Sequence, residues 1–187
     1  MPEYLVQEEV RMKLKNNAIF AEKSVKDINL GDRAEYIEKV RVLYESYDDN
    51  WKLDYFDDNT SGYLVTEKGR IMQSEKSKNE TIKFLKEQEM CMTLARNGHK
   101  IEHLDDKWGE SYDIHIDGIK ADLKKTRSHN NIVNYAKEAI RDQGAEMVIF
   151  EFEKETEMIH AEIIQLYKKS IRAKYYFSHN KNIIYDL

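Results

Sequence analysis

Ser111-Tyr-Asp-Ile-His-Ile-Asp-Gly-Ile-Lys-Ala-Asp-Leu-Lys-Lys-Thr126 is the stretch on which the fold turns. Two alternating runs, 112–116 and 119–123, meet at Asp117-Gly118. Asp-Gly between alternating apolar residues predicts a β-hairpin. Asp113 then lies in the first strand and Asp122-Leu123-Lys124 in the second. Residues two apart leave a strand on one face, so Asp122 and Lys124 project together, beside a second carboxylate. Two carboxylates and an amine suit a hydrolytic metal site; an exposed charged hairpin is the plain alternative.

The chain on either side reads as strands alternating with helices. Upstream, 77–97 has a helical row of Phe84, Glu87, Cys91, Leu94 and Ala95, stopped by Gly98. Glu87 is out of place in that row, because a buried carboxylate is costly unless it is paired or bound to metal. Pairing with a lysine at the rim is the ordinary explanation. A short strand over 99–103 fits between this helix and the hairpin. Downstream, a helix runs to about Gln143. A buried strand follows over 146–153, then an amphipathic helix over 155–171 and strands over 173–177 and 182–185. The expected fold class is α/β, a mixed central sheet flanked by helices.

The N-terminal part reads differently. Residues 3–26 and 32–47 predict two helices, the second with a stripe of Val40, Leu43 and Tyr44. Residues 1–50 are expected to be a helical extension and 51–187 the α/β domain, opening with a hairpin over 51–56 and 63–65. Asp57, Asn59, Ser61 and Gly62 imitate the start of a calcium loop. The pattern fails, because Glu67 falls one residue early and position 68 is Lys. A turn between the two strands explains the same residues.

Composition narrows the function. The 187 residues are 35% charged and 41% hydrophobic, enough for a sizeable core under a charged surface. No apolar run approaches membrane-spanning length and the first residues do not form a secretory signal. The single cysteine, Cys91, fits a reducing compartment, so a cytoplasmic location is expected. A net charge of −5 argues against broad nucleic-acid binding, although 30 Lys and Arg residues leave room for a local basic patch. The six histidines lack zinc spacing. There is no nucleophile elbow and no phosphate loop.

Lys124-Lys125-Thr126-Arg127 and Ser128-His129-Asn130-Asn131 read as a basic, polar turn opening a helix, a natural phosphate site. Lys125, Arg127, Ser128, His129 and Asn131 are therefore candidate substrate contacts. Ser128 or Asn131 serves equally as a helix cap. His129 is the best placed histidine for auxiliary acid–base work.

Glu87, Asp113 and Asp122-x-Lys124, in this order of elements, resemble the PD-(D/E)XK nuclease superfamily from about residue 77 to 187. The run from Ala95-Arg-Asn-Gly-His-Lys-Ile101, through the hairpin, to Gln143-Gly-Ala-Glu146 is similar to one branch. That branch holds the tRNase-type C-terminal domains of contact-dependent inhibition toxins, and related domains of phage head-morphogenesis proteins. Tyr112 departs from the family's proline before the Asp.

The resemblance implies a metal-dependent nuclease with Glu87, Asp113, Asp122 and Lys124 as catalytic residues. Mg²⁺ or Mn²⁺ would be held by Asp113, Asp122 and the Leu123 carbonyl, with Glu87 acting through a second ion or a water. Lys124 would orient the nucleophile or balance phosphate charge. Gln143 is implied as a further contact. The expected partner is nucleic acid, RNA such as tRNA ahead of DNA. A protein partner at the N-terminal helices is also implied, an immunity protein or a phage structural protein, with no membrane partner. The chain would then be virion-associated or delivered into a target cell. A silent nucleic-acid-binding or virion module of the same fold, and a pure interaction protein, remain as alternatives.

Overall fold

The computed structural model describes residues 30–106 and 111–187. The helix expected over 3–26 lies outside them. The elements run α1 (Leu30–Glu45), β1 (Trp51–Phe56), β2 (Tyr63–Glu67), α2 (Lys68–Ser74), α3 (Lys78–Arg96), β3 (Lys100–His103), β4 (Ile114–Ile116) and β5 (Ile119–Thr126). They continue with α4 (Ile132–Arg141), β6 (Met147–Phe152), α5 (Glu157–Lys168), β7 (Ala173–Phe177) and β8 (Asn180–Asp186). The fold is α/β, with one mixed sheet of eight strands in chain order among the described residues. β2–β3, β5–β6 and β6–β7 are parallel and the other neighbours antiparallel.

Local chemistry explains the key boundaries. Ser77 caps α3 by accepting from the Glu80 N–H at 3.2 Å, and Gly98, at φ +91°, ends it. Asp117 and Gly118 both have positive φ, 51° and 82°, as the primed hairpin turn demands. The turn at 57–62 is built on the Asp57 carboxylate, which accepts from the N–H groups of Asn59 at 2.8 Å and Thr60 at 3.0 Å. That is the turn chemistry expected for these residues.

Alternation along the strands divides the core into two faces. Leu64, Ile101, Ile114, Ile116, Ala121, Leu123, Ile149 and Tyr176 meet Met90, Cys91, Leu94 and Ala95 of α3. On the opposite face Val148, Phe150, Phe152, Tyr175 and Phe177 pack under Ile132 and Ala136 of α4 and Ile159, Ile163 and Leu166 of α5. Val40 of α1 joins Tyr63 and Val65 in a third cluster, with Tyr44, Tyr47, Trp51 and Phe56 packed against it. The stripe expected on α1 is corrected at one position: Leu43 is 48% exposed. Tyr47 holds the end of this region to the sheet, donating to Glu102 Oε1 at 2.5 Å. No helix among the described residues is long and apolar enough to cross a membrane.

Candidate active site

Asp113 and Asp122 meet where β4 begins. The β4–β5 ladder pairs Ile114 with Ala121, and one further bond joins the Asp113 N–H to the Ala121 carbonyl at 3.1 Å. Asp113 therefore sits one residue before β4, at its mouth, and not inside the strand. Beyond it β5 continues without β4. The Leu123 N–H, facing that gap, donates instead to Asp113 Oδ2 at 2.8 Å. Within a strand a residue's carbonyl leaves on the same side as its N–H. The Leu123 carbonyl thus opens toward Asp113.

The electrostatics are those of crowded carboxylates. Asp122 is 1% exposed and Asp113 9%. Burial pushes the Asp113 carboxyl well above the usual carboxylate range, and the charges of Asp122 and Glu87 push it further. The Leu123 N–H opposes this, while a hydrogen bond with Asp122 favours the proton on Asp113. Lys124 Nζ lies 2.6 Å from Asp122 Oδ2, so the two residues share a face as the alternation predicts. With its amide nitrogen turned to the carboxylate, Gln143 donates to Asp122 Oδ2 at 3.0 Å and Oδ1 at 3.1 Å.

Glu87 approaches from α3, and not as a rim residue. It is 6% exposed, and its Oε2 accepts from Arg70 Nη2 at 2.8 Å and pairs with His103 Nε2 at 3.0 Å. Lys83, one turn earlier, stands 3.6 Å from Oε1. Burial alone would raise the Glu87 carboxyl, but the bonds to His103 and Arg70 outweigh it and hold the group down at about 2. Arg70 and His103 carried no signal as site residues. Arg70 lies on a seven-residue helix with no recognisable pattern, and its contact is made across the fold.

The remaining sequence candidates do not converge. Lys125 points to the α3 side, opposite Lys124, where its Nζ meets Glu151 Oε1 at 3.1 Å and Glu89 Oε2 at 3.3 Å. Arg127 is exposed and pairs with Glu153 at 3.3 Å. Ser128 serves its own turn, its Oγ accepting from the Asn130 N–H at 3.1 Å. Asn131 occupies the cap position of α4 with left-handed φ 67°, but its side chain makes no capping bond. His129 is half-buried in the same turn. The compact basic patch read from 124–131 is therefore not assembled: alternation sends Lys124 and Lys125 to opposite faces, and neighbouring acids take Lys125 and Arg127.

Among the described residues no three His, Cys, Asp or Glu side chains are spaced to enclose a metal ion. A hard dication such as Mg²⁺ fits the donors differently. It keeps several waters and needs only one or two carboxylates. Asp113 and Asp122 could supply those, and a dication would relieve the electrostatic pressure that Asp122 puts on Asp113.

No family model matches the chain, and no curated protein matches it. Among solved structures, a chain of the CdiA-CT/CdiI toxin and immunity complex from Burkholderia pseudomallei aligns at 16% identity with a TM-score of 0.48. The alignment covers 60% of this chain and 91% of that one.

Proposed function

We propose that this chain is a metal-dependent nuclease that hydrolyses phosphodiester bonds in RNA. The observation that supports it is the pairing of Lys124 with Asp122 beside the buried Asp113 carboxyl, which accepts from the Leu123 N–H at the point where two strands part. A structural salt bridge has no need of a second carboxylate pressed against it. Mg²⁺ or Mn²⁺ would supply neutralisation of phosphate charge and a bound water of lowered pKa.

The chain's own groups take the remaining roles. Asp113 and Asp122, with the Leu123 carbonyl beside them, would hold the ion, whose charge would favour the ionised form of the raised Asp113 carboxyl. Lys124, now paired with Asp122, would balance charge on a phosphate oxygen or orient the attacking water. Gln143 fixes Asp122, so that the carboxylate does not swing when Lys124 leaves it. Glu87 adds a fixed negative charge behind Asp113. A Lys124 side chain turned away from the carboxylates would have favoured a silent module; its contact with Asp122 favours the nuclease.

The preference for RNA rests on the resemblance to tRNase-type domains. The mixed charges around the site are in keeping with it, because a long duplex calls for an extended positive track. Incubating the purified chain with total tRNA and with plasmid, at matched ionic strength, with and without Mg²⁺, tests both parts. Mg²⁺-dependent cutting of tRNA is expected. Cutting of plasmid with intact tRNA would overturn the RNA assignment, and no cutting of either would overturn the nuclease.

A further inference from the structure

Arg70, Phe84, Glu87 and His103 form a closed packet on the α3 face of the sheet. The Arg70 side chain is 3% exposed and that of His103 fully buried. The Phe84 ring stacks on His103 at 5.4 Å and 14°, and the Arg70 guanidinium stands 5.3 Å from the centre of the same ring. Both donors converge on one oxygen of Glu87, Oε2. Arg70 Nη1 and His103 Nδ1 are buried with no hydrogen-bond partner.

A packet built only for stability would be unusual in this form. Three buried polar side chains are seldom better than apolar residues of the same volume, and two unused buried polar atoms add a cost. The arrangement gives something else. Glu87 is locked in one orientation, with Oε2 engaged twice and Oε1 left 3.6 Å from Lys83. Its charge reaches Asp113. We infer that Arg70 and His103 are positioning residues for the nuclease site. They hold Glu87 as an oriented anion, so that its Oε1 would be available to a water of the metal or to a second ion. The inference rests on the nuclease reading. It also makes α2, the short helix after the first hairpin, part of the active site.

The test is a double-mutant cycle read by calorimetric Mn²⁺ binding, with melting temperature and tRNA cleavage measured on every variant. Glu87→Gln and Arg70→Gln should each weaken Mn²⁺ binding by about 10- to 100-fold, the usual effect of losing an outer partner of a metal site. Arg70→Gln/Glu87→Gln should bind no more weakly than Glu87→Gln alone, because Arg70 acts through Glu87. Arg70→Lys should recover part of the loss. His103→Gln, whose amide nitrogen can stand in for Nε2, should bind better than His103→Asn, and this pair serves if Arg70→Gln does not fold.

Multiplying losses in the double mutant would overturn the inference. So would variants that melt lower while binding Mn²⁺ as the parent does. A parent chain that neither binds Mn²⁺ nor cleaves RNA would remove the nuclease reading itself, which separates the two failures.

Discussion

The backbone N–H of Leu123 donates to the side chain of Asp113 at 2.8 Å, so a catalytic candidate fills a hydrogen bond that the neighbouring strand no longer supplies. The amide of Leu123 would otherwise be left unpaired in the buried gap. Asp113→Asn keeps an acceptor for it and removes the charge. We expect that variant to fold, to melt at or above the parent temperature without metal, and to lose Mn²⁺ binding and cleavage. Asp113→Ala should instead cost about 1–3 kcal/mol for the orphaned amide. Equal stability of the two variants in urea unfolding would show that the bond contributes nothing.

Lys124 and Asp122 separate chemistry from folding in a different way. Lys124→Met should lower the cleavage rate by roughly 10²–10³-fold, the scale of losing one charge stabiliser in a transition state. Asp122→Asn should abolish activity with little change in melting. Retention of full activity by either variant would remove these residues from the mechanism.

Lys125 should behave as a structural residue. Its Nζ neutralises Glu151, which is fully buried and also accepts from Ser178 at 2.6 Å and Tyr176 at 3.1 Å. Lys125→Met should lower stability by roughly 1–3 kcal/mol, softened because Lys181 also stands 3.4 Å from Glu151. Cleavage per folded molecule should stay the same. A large drop in RNA affinity without loss of stability would return Lys125 to the substrate.

The two unusual carboxyls bend the pH dependence in opposite directions. Glu87 titrates lower in the folded chain than its ordinary 4.5, at about 2. Its contribution to stability is therefore present above 4.5 and is lost as pH falls toward 2. Asp113 titrates higher when folded, so its contribution is complete below its ordinary 3.8 and is lost as pH rises through the raised value. Metal-free melting temperatures should rise out of strong acid and fall again above the ordinary carboxylate range. Asp113→Asn should remove only the second limb. A melting curve unchanged by that substitution would contradict the assignment.

How much of this was written in the sequence depends on the range of each interaction. The hairpin, the long helix and its cap are set by neighbours in the chain, and they stand within a few residues of expectation. The same period of two that joins Asp122 to Lys124 also turns Lys125 away. Charge count alone gathers the basic residues of 124–131 into one cluster; the pleat separates them. Arg70 and His103 were illegible for another reason. Residues 68–74 show neither a helical stripe nor a cap, and their role exists only once α2 lies against α3. Spacing alone turns Leu43 inward, while the helix settles on Val40 and Tyr44.

Among the described residues, the sheet order follows the chain from β1 to β8 without a strand inserted between earlier neighbours. Each strand finds its partner already next in line, so no pairing has to wait for a distant part of the chain. Such a sheet can be assembled progressively from one end, and loop-closure costs stay modest for a structure this rich in β pairing. The carboxylates of the candidate site are spread over the middle of that progression. Asp113 and Asp122 come together with the β4–β5 turn, whereas Glu87 acquires both partners only when the first hairpin, α2 and β3 have joined. Local hairpin closure alone would thus create a charged, unfinished site, and its completion would coincide with the docking of the leading half of the sheet.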